Sequence, residues 1–264
     1  MPESHATTAT NTHATPAPRP AEPPPDTAGR SATRTVIVVL PDGTGTDWLG
    51  VVAVLAWHRH PAVIPHRAFP VRRPALTGWI TRWSRRHLTD PTRRHGAVTI
   101  AAGGRISRLD LRGAADTARR TATDRWRTWH AHIARGTGNA RCWESFLADH
   151  HRDPGKLPLQ VVRARFEAQP RVLAMLAYNS YPAAPHHLDV DELAAYQAGE
   201  AVYAALAWQQ ALTGDALITP DGRWLQPASS SLADRLRYHA DAVRIVHGLP
   251  RDRHLVAVRA AALP

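Results

Sequence analysis

Residues 35–48 read Thr35-Val36-Ile37-Val38-Val39-Leu40-Pro41-Asp42-Gly43-Thr44-Gly45-Thr46-Asp47-Trp48. Five consecutive aliphatic residues, 36–40, predict a buried strand, and the Pro-Asp-Gly triplet that follows predicts the turn that ends it. A helix over 47–59 comes next, with Thr46 as its cap. The fold therefore opens on mixed strand and helix.

The same stretch holds a candidate anion loop: Gly43, Thr44, Gly45 and Thr46. Free backbone N–H groups at a helix start can cradle an anion, and glycine lets it approach closely. Two known glycine motifs fail here. A dinucleotide fingerprint needs a third Gly where Trp48 stands, and a phosphate loop needs a Lys that this stretch lacks. A plain strand-to-helix turn explains the loop equally well.

Upstream, residues 1–33 form a Thr/Ala/Pro tail with no large aliphatic residue after Met1 and with three consecutive prolines at 23–25. Such a stretch buries too little surface to offset its ordering entropy, so disorder is expected. Downstream, Pro61, Pro65, Pro70 and Pro74 break the chain into extended or irregular pieces. Leu76, Ile80, Trp83 and His87 recur at helical spacing and predict a helix over 75–88. Strands are expected at 97–101 and 105–111, joined through Gly103-Gly104 as a hairpin.

From 112 onward the pattern is helical. Helices are expected over 114–134, with Ala118, Ala122, Trp126, Trp129 and Ile133 inward, and over 140–150. A third should start near Pro158 and either kink or split at Pro170. Asp189 and Glu192 resemble a capping box ahead of a helix running to about 212. A second hairpin is expected around Pro220-Asp221-Gly222, then a helix over 232–247 capped by Ser231. The fold class is α+β, predominantly helical: a small strand and hairpin region over 34–111, followed by a helical region over 112–264. No polar linker divides 34–264, so a single folded unit is expected.

Charge is the main functional signal. Residues 57–141 hold 18 Arg against four Asp, a net +14 in a chain whose formal charge is +11. Only Lys156 is lysine. Coding bias toward Arg would act on the whole chain, yet the remaining residues balance their Arg with acids. The block therefore needs another explanation, and a localised positive field attracts polyanions. Arg carries a planar, permanently charged fork suited to phosphate. Arg72, Arg73, Arg82, Arg85, Arg86, Arg93 and Arg94 surround Trp79 and Trp83, and Arg119, Arg120 and Arg127 fall off the apolar stripe of the 114–134 helix. These ten are the candidate nucleic-acid contacts, to the DNA or RNA backbone and largely independent of sequence. The near-neutral C-terminal helices are left for the core and for a partner or homo-oligomer surface.

Other chemistry is less well supported. The single cysteine, Cys142, excludes an intramolecular disulfide and a cysteine-based zinc cluster. The 16 histidines show no ligand spacing; Glu144, Asp149 and His151 come nearest, so neither a metal nor a cofactor is expected. His239, inside an apolar stripe, and Glu200, among alanines, could act as a buried base and acid. The longest apolar run, 49–57, is about half of a membrane span. A soluble, cytoplasmic protein with no membrane partner is expected. Two further classes stay open: an enzyme acting on an anionic, phosphorylated small molecule, and a structural scaffold.

Overall fold

The computed structural model describes residues 33–42, 48–58, 63–72, 87–95 and 97–261. The 1–32 tail, the 43–46 loop and residues 75–86 of the expected helix lie outside the described residues. Residues 32–264 make one compact unit. Its fold is mixed α+β, with most of the sheet early in the chain and most of the helices after it.

Strand β1 (Thr33–Val39) is the sheet's organising element. Its Val36 and Val38 pack with Leu40 against Val51, Val54 and Leu55 of helix α1 (Trp48–Trp57). Ile37 and Val39 face the opposite core. A strand covered on both faces needs apolar residues at successive positions, which is why the run at 36–40 is unbroken.

Three short or irregular strands follow: β2 (Val63–Pro65), β3 (Phe69–Pro70) and β4 (Leu88–Arg94). The fifth, β5 (Ala97–Arg105), pairs antiparallel with β4. The expected hairpin turn at Gly103-Gly104 is corrected here. The chain reverses between Arg94 and Ala97, which pair with each other, and β5 runs straight through both glycines. Their role is close approach. A Cβ on Gly103 would lie 2.3 Å from the carbonyl oxygen of Leu255, and one on Gly104 2.4 Å from that of His87. Residue 88 likewise opens β4 and does not close a helix.

Asp110 then caps helix α2 (Leu111–His132), accepting from the Gly113 N–H at 3.0 Å. Helices α3 (Trp143–Arg152), α4 (Leu159–Glu167) and α5 (Pro170–Asn179) follow, with the break before Pro170 that the sequence predicts. The expected helix to 212 is two helices, α6 (Leu193–Gln197) and α7 (Glu200–Thr213). Gly199, with φ +106°, separates them in a conformation that favours glycine. Strands β6 (Ala216–Ile218) and β7 (Trp224–Leu225) form the second hairpin, and Ser231 caps helix α8 (Leu232–Gly248).

The last described strand, β8 (His254–Ala261), adds to the elements that the sequence predicts for the mainly helical second region. It pairs antiparallel with β1 along one edge, and with β5 and then β2 along the other. The sheet order is β3-β5-β8-β1-β6-β7, and β6 lies parallel to β1. Helix α8 covers the face opposite α1, through Tyr238, Ala242 and Val246. A third core joins α2 to α3–α7 through Trp129, Phe146, Phe166, Met175 and Tyr196.

Candidate functional site

Helix α2 positions the basic residues because its apolar residues fix which way it faces. Ala115, Ala122 and Trp129 are buried, while the Trp126 indole N–H donates to the Tyr196 carbonyl at 2.9 Å. Arg112, Arg119, Arg120 and Arg127 recur at intervals of seven or eight and so share the exposed side. From Arg112 to Arg127 the stripe runs about 22 Å at 1.5 Å per residue.

Two grooves lie along this stripe. One, of about 570 Å³, is lined by Arg72, Arg112, Arg119, Asp116, Trp208 and His247, with Leu111 and Leu212 at its base. The other, of about 520 Å³, is lined by Arg119, Arg120, Arg127, Asp124 and Glu200. Arg119 belongs to both, so the grooves adjoin. Trp208, which the sequence reading passes over, donates its indole N–H to Asp116 at 3.3 Å and meets the His247 ring edge-on.

Carboxylates temper the stripe without erasing it. Asp116 lies 3.8 Å from Arg112 and 3.7 Å from Arg119, and Glu200 lies 3.3 Å from Arg127. These pairs are solvent-exposed, so each contributes little and can exchange for a phosphate at small cost. No carboxylate pairs with Arg72 or Arg120 among the described residues.

The other sequence candidates are placed differently. Arg93 and Arg94 are exposed at the tip of the β4–β5 hairpin and line neither groove. Arg73, Arg82, Arg85 and Arg86, with Trp79 and Trp83, lie outside the described residues, as does the 43–46 loop.

The suggested His239–Glu200 couple does not form. Glu200 opens α7 on the groove rim beside Arg127, whereas His239 bonds Thr213 at the other end of α7, about 20 Å along the helix. His239 is 2 % exposed, and burial, reinforced by Arg235 and opposed by Asp215, pushes its imidazole down to about 4. Thr213 Oγ1 gives its proton to the Gln209 carbonyl at 3.0 Å, so it accepts from His239 Nδ1 at 2.7 Å. The ring is neutral at pH 7. It lines a cleft of about 570 Å³ with Asp189, Asp191, Glu192, Asp215, Arg34 and Arg235, whose excess of carboxylates disfavours a polyanion.

Cys142 precedes α3, and burial raises its thiol pKa, with Glu144 acting in the same direction. That opposes thiolate chemistry. Asp149 is held below the usual carboxylate range chiefly by the hydrogen bond from Arg141. Among the described residues no group of three His, Cys, Asp or Glu is placed to hold a metal ion. None of their helices is long and apolar enough to cross a membrane.

The fold and its grooves define a mixed α+β protein with an arginine-lined helix face. No known protein family, curated protein or solved structure matches the chain.

Proposed function

We propose that this protein binds the phosphate backbone of nucleic acid along the exposed side of α2, with little reading of sequence. The observation that carries the reading is that Arg72, Arg112, Arg119, Arg120 and Arg127 line two adjoining grooves. An extended row of guanidinium groups suits a repeating anion, because each contact releases condensed counterions from the strand. A cytoplasmic location fits such a partner. The exposed Leu159, Leu173 and Tyr181 on and beyond α4 and α5 would supply a homo-oligomer contact.

The test is a salt titration of binding to a labelled random-sequence duplex and a single strand. Wild type is compared with a triple variant, Arg119→Ala, Arg120→Ala and Arg127→Ala. Loss of three phosphate contacts should flatten the duplex log–log salt slope by about 2.7, at roughly 0.9 per contact. Absence of binding at about 50 mM salt, where such contacts are strongest, would overturn the reading. An unchanged slope in the triple variant would place the contacts elsewhere and sink this assignment.

A further inference from the structure

Arg125 stands on the opposite side of α2 from Arg127, two residues or roughly 200° around the helix. It lines a cavity of about 450 Å³ between α2, α7 and the start of β1. Among the described residues, no carboxylate lines this cavity. Apolar walls come from Ile37, Ala68, Ala114, Ala118, Ala207 and Ala211, and polar groups from Thr35, Thr121, Gln210 and His66. The space exists because α2 and α7 meet here through Ala and Thr, side chains too short to fill the interval.

Arg125 is poorly satisfied for a cation in this position. Its Nε is buried with no hydrogen-bond partner, and its one side-chain bond among the described residues is a long one, Nη1 to the Tyr203 hydroxyl at 3.4 Å. Among the described residues it takes part in no ion pair, and Glu192, whose charge it feels, is bonded to Arg235 at 3.1 Å. Arg125 is half-buried, and a buried N–H left unmatched, as its Nε is, costs free energy. His66, whose pKa burial lowers, adds a neutral ring and no second charge.

We propose that this cavity binds a small monocarboxylate with a compact apolar body. The carboxylate would take the terminal Nη groups of the Arg125 guanidinium, and the body would lie against the alanine wall. One cation matches one negative charge, and the alanine lining favours a hydrocarbon over a phosphate dianion.

The experiment is calorimetric titration of the full chain with hexanoate, 1-hexanol and inorganic phosphate, repeated on Arg125→Gln and on Ala118→Leu. The first variant removes the charge; the second keeps it and fills the space. Hexanoate should bind once per chain, at least about tenfold tighter than hexanol, and each variant should weaken it by at least about tenfold. The proposal is overturned by any of three results on wild type: no hexanoate binding at about 10 mM, hexanol binding as tightly as hexanoate, or phosphate binding as tightly as hexanoate. Those wild-type comparisons decide the matter even where Arg125→Gln fails to fold. Unchanged hexanoate affinity in both variants would also overturn it. None of these outcomes bears on the salt-dependent contacts along the outer side of α2.

Discussion

Replacing Arg171 with Met should destabilise the protein far more than any of the groove arginines would. Arg171 lies near the start of α5 and is 5 % exposed. Its Nε donates to Thr137 Oγ1 at 3.1 Å, Nη1 to Asn139 Oδ1 and Gln197 Oε1 at 2.8 Å each, and Nη2 to the Thr137 carbonyl at 2.6 Å. The guanidinium also sits 5.3 Å from the Trp129 ring centre. Every partner is neutral, so one cation ties the segment between α2 and α3 to both α5 and α6. Methionine matches its length but donates nothing. Gln197 keeps a second donor, the Ala140 N–H at 2.8 Å, and the exposed Asn139 amide can turn to water, so the uncompensated loss falls on the Thr137 carbonyl. A buried acceptor left unpaired costs about 1–3 kcal/mol, which places the total near 2 kcal/mol. For a folded unit of this size, that corresponds to a melting temperature lower by about 4–8 °C. Urea denaturation followed by circular dichroism measures it, with Arg127→Ala as the exposed comparison, expected to cost under about 1 kcal/mol. If Arg171→Met lies within about 1 kcal/mol of wild type, the network is not what holds this segment.

Two further outcomes follow from buried groups. His239 has a folded pKa of about 4 against an ordinary 6.5, so the unfolded chain takes up its proton first as pH falls. Its contribution is complete above about pH 6.5 and is lost on the way down to pH 4, close to 3 kcal/mol in all. Urea midpoints at pH 7 and pH 4.5 should show this loss, and His239→Asn should shrink it; equal pH sensitivity in both proteins would refute the assignment. Gly103→Ala places a Cβ 2.3 Å from the Leu255 carbonyl oxygen and 2.7 Å from the Val256 Cα, backbone atoms that cannot rotate away. It should cost about 3 kcal/mol or more, while Gly136→Ala, with nothing within 4 Å, should cost little. Equal urea midpoints for these two variants would show that β5 and β8 are not pressed together at Gly103.

Much of the architecture is legible in the chain because local and tertiary demands agree. The run at 36–40 is apolar at every position, and β1 is covered on both faces. Pro170 splits two helices, and Ser231 caps α8 with its hydroxyl 3.2 Å from the Asp234 N–H. Misreadings occur where a residue serves packing and not local geometry. Gly103 looks like a turn because glycine is common in turns, yet it is glycine here to let β8 approach. In β4, Pro91 and two arginines argue against a strand, and only pairing with β5 makes it one. At 254–261 the apolar core is short, and its neighbours across the sheet are far away in sequence. Of the groove arginines, Arg72, Arg119, Arg120 and Arg127 stand out in the sequence as candidates from the basic block, whereas Arg112 does not. Nor does Arg125, because it falls outside the apolar stripe and its alanine and threonine neighbours look like ordinary helix filling.

The placement of β8 also sets the order in which the protein can be made. β1 emerges from the ribosome more than 200 residues ahead of the strand that bonds along its whole length. Until 254–261 are released, β5 and β2 have no strand linking them to β1, and its Val36–Leu40 run lacks its longest hydrogen-bonded neighbour. A nascent chain in that state presents an unpaired apolar edge, a template for pairing with other chains. Closure of the sheet must therefore wait until synthesis reaches β8, and its non-local pairing favours slow folding. Holding that edge during translation is a task suited to a chaperone.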